Sequence, residues 1–146
     1  MLSPSSLPGR AALLADLERA AASDGPRTVL VMFGFHGLKD YLESVSLYDG
    51  DAVLERLAGR LAQAARGAGR LYAPRRGELC ALFEGELPVG WSAIPAALDA
   101  EAPMLDIRTS FALVVLPSEA SSAGYALLLA DTRLKAGTGT LRPGRR

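Results

Sequence analysis

The apolar residues in the first half of the chain predict a helix, a strand and two further helices. Residues 11–22 carry leucine and alanine at helical spacing, and the turn residues 23–26 end that helix. The continuous apolar run 28–33 is rich in β-branched residues, which predicts a central strand covered on both faces. Residues 38–45 predict a short helix, and an amphipathic pattern from about 49 to 66 predicts a longer one.

A β-hairpin is predicted immediately after the long helix. Tyr72 on one side and residues 79–83 on the other have strand composition. Residues 75–78 between them are charged and include a glycine, as a tight turn favours. The hairpin is the central feature of the chain, although its pattern alone says nothing about chemistry.

The last third predicts a helix, a strand and a final helix. Ser92 is placed to cap a helix over residues 93–100, and a strand over 107–116 follows. Ser121 or Ser122 caps the final helix, which ends before a Gly/Arg/Pro-rich tail. The whole order predicts an α+β domain whose central sheet is mostly antiparallel and is flanked by helices.

Composition narrows the class of protein. The 146 residues suggest one domain, and 16 basic residues balance 16 acidic ones. No overall field therefore draws the chain to nucleic acid or to an anionic membrane, and no run approaches the length of about 20 apolar residues that spans a bilayer. Cys80 has no cysteine partner and His36 has no zinc-ligand spacing around it, so we expect a cytoplasmic protein or the cytosolic domain of a larger one.

Several short segments, in order, resemble the motifs of one family, the GGDEF family of diguanylate cyclases. The matching segments are Leu7-Pro8-Gly9-Arg10, Phe35-His36-Gly37-Leu38-Lys39, Gly50-Asp51, Arg76-Gly77-Glu78-Leu79-Cys80, the strand that begins at Ser110, and Ala130-Asp131. The resemblance covers about residues 7–135, with 136–146 as a tail, and implies a nucleotide-cyclase or palm-like fold with a signature hairpin.

The resemblance implies an activity that needs paired carboxylates. Members join two GTP molecules, each held on one domain of an antiparallel pair, and metal ions neutralise the triphosphate. Here Gly34 stands in place of the strand-end acid, and His36 in place of the next acid. Neither residue offers a carboxylate, so we expect no catalytic residue in this chain.

The signature itself, residues 76–80, is altered. Arg76 replaces its first glycine, Gly77 is kept, Glu78 keeps an acid at the position that helps to hold metal, and Leu79 replaces the following Glu. Cys80 reads as a packed strand residue. One carboxylate that faces a cation is a poor magnesium site, so Glu78 is at most a vestigial ligand, and Mg²⁺ is expected only if nucleotide binding is retained.

Nucleotide contacts are partly kept according to the same resemblance. Lys39 matches a phosphate-contacting lysine and Asp51 matches the base-reading acid, whereas Leu42 stands where an Asn is usual. Arg76 is a further candidate because two adjacent cations beside a glycine suit a phosphate. Glu78, Lys39 and Asp51 are equally readable as ordinary surface charges, and Arg75 and Arg76 as a polar turn.

The sequence lacks two other features that the resemblance leads us to expect, a second phosphate-contacting lysine and an inhibitory motif that binds the product. The second phosphate-contacting lysine falls at Thr138 or near Lys135, depending on alignment, and Gly67 and Arg70 take the two places of the inhibitory motif. We therefore expect no feedback binding of cyclic di-GMP at that motif.

Three functions remain open on the sequence alone. The first is a catalytically inactive GGDEF-like regulatory or dimerisation module in bacterial cyclic di-GMP signalling. The second is a residual domain that binds GTP or another purine nucleotide, or a weak diguanylate cyclase. The third is a nucleotide-free scaffold that uses the fold only for contacts with other signalling domains or a homodimer partner. Three consecutive leucines at 127–129 favour an interaction role, because one buried helix stripe cannot cover all of them.

Overall fold

The computed structural model describes residues 7–22, 24–101 and 107–136. Within them the chain forms five helices and four strands. These are α1 (Arg10–Ala22), β1 (Thr28–His36), α2 (Leu38–Ser44), α3 (Leu47–Ala65), β2 (Arg70–Tyr72), β3 (Leu79–Glu84), α4 (Ala93–Glu101), β4 (Arg108–Leu116) and α5 (Ala123–Lys135).

The four strands form one sheet in the order β2-β3-β1-β4, and every neighbouring pair is antiparallel. Strand β1 is central, so that Met32 lies opposite Cys80 on one side and opposite Ala112 on the other. The predicted α+β architecture with an antiparallel sheet and flanking helices is confirmed.

Helices cover the sheet on both faces. One face packs against α3 and α4, and its core includes Val31, Phe33 and Leu57. The opposite face packs against α1 and α5 and includes Leu17 and Leu30. All five of these side chains are at most 1% exposed. This double covering explains why the β1 segment is apolar at consecutive positions rather than alternating.

Strand β1 is longer than its apolar run. We expected it to end near Phe33, but Gly34, Phe35 and His36 continue it by pairing with β4 as far as Arg108. The register with β3 ends at Phe33 opposite Leu79, so these last three residues are paired on one side only. Pairing with the long partner strand, rather than local composition, sets the end of β1.

Capping serines define two helix starts. The Ser46 side chain accepts a hydrogen bond from the backbone N–H of Asp49, so α3 begins at Leu47, two residues before the predicted start. Ser122, one of the two candidate caps, accepts from the N–H of Tyr125 at the start of α5.

The predicted hairpin forms, with Tyr72 opposite Cys80, but residues 73–78 make a longer connection than a tight turn. The Ala73 N–H donates to the Pro8 carbonyl, and Pro74 has no N–H to extend the ladder. A turn lies inside this connection, where the Glu78 N–H donates to the Arg75 carbonyl at 2.9 Å. Gly77 takes φ +85° there, a conformation that favours glycine.

Two further observations concern the chain as a whole. None of the helices in residues 7–22, 24–101 and 107–136 is both long and apolar enough to cross a bilayer. The predicted tail from residue 137 and the candidate Thr138 lie outside the described residues.

Candidate functional site

A cleft of about 450 Å³ lies where β1 passes beyond β3, between the 73–78 connection and α5. We call it the strand-end cleft. Gly34 and Glu78 both line it, each one residue beyond the last β1–β3 pair, in which Phe33 lies opposite Leu79. The other lining residues used below are Arg10, Arg75, Leu128, Asp131 and Leu134. The structure therefore brings together two of the positions at which the family resemblance expects carboxylates.

Space beside Gly34 is already occupied. A Cβ placed on Gly34 would lie 3.1 Å from Ser110 Oγ and 3.4 Å from Leu134 Cδ2. Since Leu134 comes from α5, that helix lays an apolar side chain against the point where a strand-end acid would project. The nearest neighbours of Gly34 are thus one hydroxyl and one apolar side chain.

Both acids of the strand-end cleft pair with cations of the same chain. Arg75 lies 3.9 Å from Glu78 and Lys135 lies 3.1 Å from Asp131. The acids are substantially exposed, at 40% and 58%, so each pair is solvated and weak. No cluster of three or more His, Cys, Asp or Glu side chains suited to a metal ion occurs in the described residues. This donor set does not fit Mg²⁺, which needs oxygen ligands in a near-octahedral arrangement.

A second cleft, of about 440 Å³, opens between α2 and the 73–78 connection, and we call it the α2 cleft. Phe35, Leu38 and Leu42 supply its apolar part. Lys39, from the first turn of α2, and Arg76 supply its positive charge. Lys39 is exposed and makes no ion pair with another described residue. Two of the three predicted nucleotide-contacting residues thus border one cleft.

A third cleft, of about 460 Å³, lies on the other side of Arg76, and we call it the α3 cleft. Asp51, Leu54 and Pro74 line it together with Arg76. The Arg76 guanidinium forms an ion pair and a hydrogen bond with the Asp51 carboxylate. Asp51, the third predicted nucleotide contact, is therefore engaged by a residue of the altered signature.

Arg76 also packs on the first turn of α3. A Cβ on Gly50 would lie 2.8 Å from Arg76 Nη2 and 3.0 Å from Leu42 Cδ2. The absence of a side chain at Gly50 leaves room for the guanidinium to lie against the helix. The Arg76 side chain thus has a defined place between the two clefts.

The remaining signature residues point into the core. Leu79 is 5% exposed, opposite Phe33, and Cys80 is fully buried in the other core layer. Burial raises the pKa of the Cys80 thiol far above its ordinary value. The prediction that Cys80 is a packed strand residue is confirmed.

Other predicted residues lie outside these clefts. His36 is exposed at the end of β1 and belongs to no group of three or more possible metal ligands among the described residues. Arg70, at a position of the missing inhibitory motif, lies 3.6 Å from Asp16. The absence of feedback binding stays a prediction.

Sequence reasoning only partly anticipated the contribution of α5. Gly124, Leu128, Asp131 and Leu134 line the strand-end cleft from one face of that helix. Their spacing of three to four residues was a readable signal, because residues so spaced share a helix face. What the sequence did not indicate was that this face lies beside Gly34.

No protein-family model matches the chain, and no curated protein matches it. Solved structures do. The GGDEF domain of TpbB, also called YfiN, from Pseudomonas aeruginosa has a TM-score of 0.73 and 18% identity, covering 93% of this chain and 87% of that one.

Two further structures give the same result. The diguanylate cyclase SiaD, in complex with its activator SiaC, from Pseudomonas aeruginosa has a TM-score of 0.73 at 17% identity, covering 90% of this chain and 55% of that one. The GGDEF domain of DgcB from Caulobacter crescentus, in complex with cyclic di-GMP, has a TM-score of 0.66 at 19% identity, covering 89% and 84%. The described residues form an antiparallel sheet with five helices, and they superpose on these domains over most of the chain. The chain therefore has the fold of a GGDEF domain.

Proposed function

We propose that this chain is a catalytically inactive GGDEF-like module that regulates or dimerises a protein of bacterial cyclic di-GMP signalling. The observation that carries the proposal is that Gly34 and Glu78 line the same strand-end cleft, with Leu134 packed beside the glycine. One of these two positions has no carboxylate, and the apolar side chain of Leu134 lies 3.4 Å from the point where a Cβ on Gly34 would stand.

The chemistry of phosphoryl transfer explains why this matters. Charge on the transferred group has to be stabilised by metal ions and cations held in place by the protein. Glu78 alone, with Arg75 beside it, is a poor holder for a divalent ion. We infer no metal-dependent step for the chain.

The test is a chromatographic assay of the purified protein with GTP and either Mg²⁺ or Mn²⁺, run beside an active diguanylate cyclase. The expected result is no cyclic di-GMP above the no-protein control. Formation of cyclic di-GMP that scales with the concentration of this protein would overturn the proposal.

The alternative is a residual nucleotide-binding domain or a weak diguanylate cyclase, which would use GTP or another purine nucleotide with Mg²⁺. What favours it is the exposed Lys39 in the α2 cleft and the presence of Glu78 and Asp51 nearby. Calorimetry with GTP, ATP and GDP, with and without Mg²⁺, tests whether a nucleotide binds. Together with the chromatographic assay it distinguishes a nucleotide-sensing module from a weak cyclase. Binding in the absence of product supports a nucleotide-sensing module, and binding with product supports the weak cyclase.

A regulatory module needs a partner surface, and α5 offers one. Leu128 is 60% exposed and Tyr125 is 50% exposed one turn earlier, as expected from three consecutive leucines on one helix. We propose that other signalling domains or a second copy bind there in the cytoplasm, without nucleic acid. Light scattering of the wild type and of Leu128→Ser tests self-association, and identical monomeric behaviour of both would exclude the second copy.

A further inference from the structure

We propose that Glu119 and Arg133 together guard the open edge of the sheet, and that without this edge guard β4 pairs with the β4 of a second copy. Strand β4 stands last in the order β2-β3-β1-β4, and its nine residues are paired with β1 on one side. An edge strand with open backbone groups is a template for pairing with another chain. Neither guard residue lines any of the three clefts, so this role goes beyond the proposed function.

The backbone groups on the outer edge of β4 are identified by what they bind. In an antiparallel pair, successive residues alternate between turning both backbone groups towards the partner strand and turning both away from it. The Leu113 carbonyl accepts from Arg133 and the Val115 N–H donates to Glu119, so residues 113 and 115 face away from β1. By the same alternation Phe111 also faces outward.

The edge guard occupies two of these outward groups at once. Arg133 Nη1 donates to the Leu113 carbonyl at 2.6 Å, and Glu119 Oε1 accepts from the Val115 N–H at 2.9 Å. The guanidinium also donates to both carboxylate oxygens, at 3.0 and 2.9 Å, so the two side chains hold each other along the edge. A strand that approaches this edge has to displace both of them.

The first half of the same edge is covered by other side chains. Asp99, from α4, accepts a hydrogen bond from the N–H of Thr109. The ring of Trp91 stands edge-on to that of Phe111, with 5.0 Å between the ring centroids. The opposite edge of the sheet, β2, has only three residues, and such a short strand offers little backbone for pairing. Side-chain cover is thus concentrated on the long edge.

Folding stability does not account for this use of Glu119 and Arg133. Their side chains are 38% and 32% exposed, and ion pairs with that much contact with water contribute little to folding. Occupation of the strand edge gives the pair a role that does not depend on its strength in folding. The same exposure allows the pair to be removed from a folded protein.

The edge that the guard covers is complementary to itself. An antiparallel pair of β4 strands centred on Leu113 places position 111 of each copy opposite position 115 of the other, and the two Leu113 residues opposite each other. All three positions face outward, so their backbone groups are directed at the second strand. A twofold axis relates the two copies in such an interface, which makes a second copy the partner that fits this edge.

The experiment compares the whole chain with the double variant Glu119→Ala, Arg133→Ala. The matched control is Asp131→Ala, Lys135→Ala, which removes another exposed ion pair of α5. Sedimentation over a range of protein concentrations measures self-association. Amide hydrogen exchange measured by NMR then reports whether the Leu113 N–H is protected, and circular dichroism shows that each variant is folded.

The expected result is that the double variant self-associates at least about tenfold more strongly than the wild type, a gain within reach of two backbone hydrogen bonds. Exchange of its Leu113 N–H slows as the protein concentration rises, whereas the wild type and the control show no such change. Adding Leu113→Pro removes an outward N–H without breaking a bond to β1, so the gain should disappear. If the double variant does not fold, Glu119→Ala alone leaves α5 unchanged and should show a smaller gain.

The proposal is overturned if no folded guard variant associates more strongly than the wild type, or if the control associates as strongly as the guard variants. Association that leaves exchange of the Leu113 N–H unchanged also overturns it, because the copies then meet elsewhere. Self-association through Leu128 is common to the wild type and all variants, so it cancels in the comparison. The proposed function is decided separately, by whether the wild type makes cyclic di-GMP.

Discussion

The body of the sheet and the strand-end cleft differ in how far their side chains are buried and in what those side chains contact. In the body, β1 pairs on both sides and buries side chains on both faces, so that Leu30 and Val31 are fully excluded from solvent. In the cleft, the charged residues are exposed and pair with neighbours of the same chain, as Glu78 does with Arg75. The fold therefore depends on the body, and the cleft adds little to folding because exposed ion pairs are weak.

The sharpest way to test this contrast is Leu79→Glu, which restores an acid of the signature but places it in the body. Leu79 is 5% exposed and packs in the core layer of Phe33 and Leu57. An unpaired carboxylate buried there should lower the free energy of unfolding by about 3 kcal/mol or more. Urea denaturation measures this loss of unfolding free energy. Leu79→Met is the volume-matched control, and its expected loss is under about 1.5 kcal/mol. An unfolding free energy near that of the wild type would show that the cleft extends to this position.

Asp16→Ala should give the next largest loss. Asp16 accepts a hydrogen bond from the hydroxyl of Tyr72, whose side chain is 1% exposed and whose pKa burial raises. Losing the acceptor leaves a buried hydroxyl without a partner, which costs about 1–3 kcal/mol. Thermal unfolding measures the change. Tyr72→Phe is the control, since it removes the hydroxyl and leaves no buried donor without an acceptor. A larger loss of stability from Tyr72→Phe than from Asp16→Ala would contradict this account.

Gly34→Asp should be tolerated, in contrast to Leu79→Glu. The new Cβ lies 3.1 Å from Ser110 Oγ and 3.4 Å from Leu134 Cδ2, both of which are side-chain atoms able to shift. We expect a change in unfolding free energy within about 1 kcal/mol, as is usual outside a packed core. Urea denaturation beside Gly34→Ala separates the effect of the carboxylate from that of the added carbon. A loss as large as that of Leu79→Glu would mean that the strand end is part of the folding core.

The smallest change in the free energy of unfolding is expected for Glu119→Gln. We expect to see it chiefly in how that free energy depends on pH. Paired hydrogen bonds from Arg133, at 3.0 and 2.9 Å, are the main cause that lowers the pKa of Glu119. Because the folded-state pKa lies below the unfolded one, the pair stabilises the protein above the unfolded-state pKa and is lost as pH falls through the folded-state value.

Both partners are partly exposed, so the effect should stay under about 1 kcal/mol at neutral pH. Chemical denaturation from neutral to acidic pH should show a smaller acid-induced loss for Glu119→Gln than for the wild type. Equal acid slopes for the two proteins would show that Glu119 does not contribute to acid sensitivity.

Local pattern was enough to predict the elements and the architecture. The β-branched run of β1, the amphipathic stripe of α3 and the serine cap of α5 are local signals. Each one determines the structure of residues close to it in the sequence. The family resemblance then singled out the positions of Gly34 and Glu78, and the structure places both on the strand-end cleft. These features were readable because secondary structure follows from periodicity and caps.

Tertiary structure alone decided which groups meet in the site. Arg76 reaches Asp51 across 25 positions of sequence, and Leu134 reaches Gly34 from the last helix. The sequence identified Leu79 as the residue that replaces a signature Glu, and the structure shows that its side chain is buried in the core. Sequence by itself determined the fold, because burial patterns repeat along each element, whereas the state of the cleft depends on contacts between distant elements that no local pattern encodes.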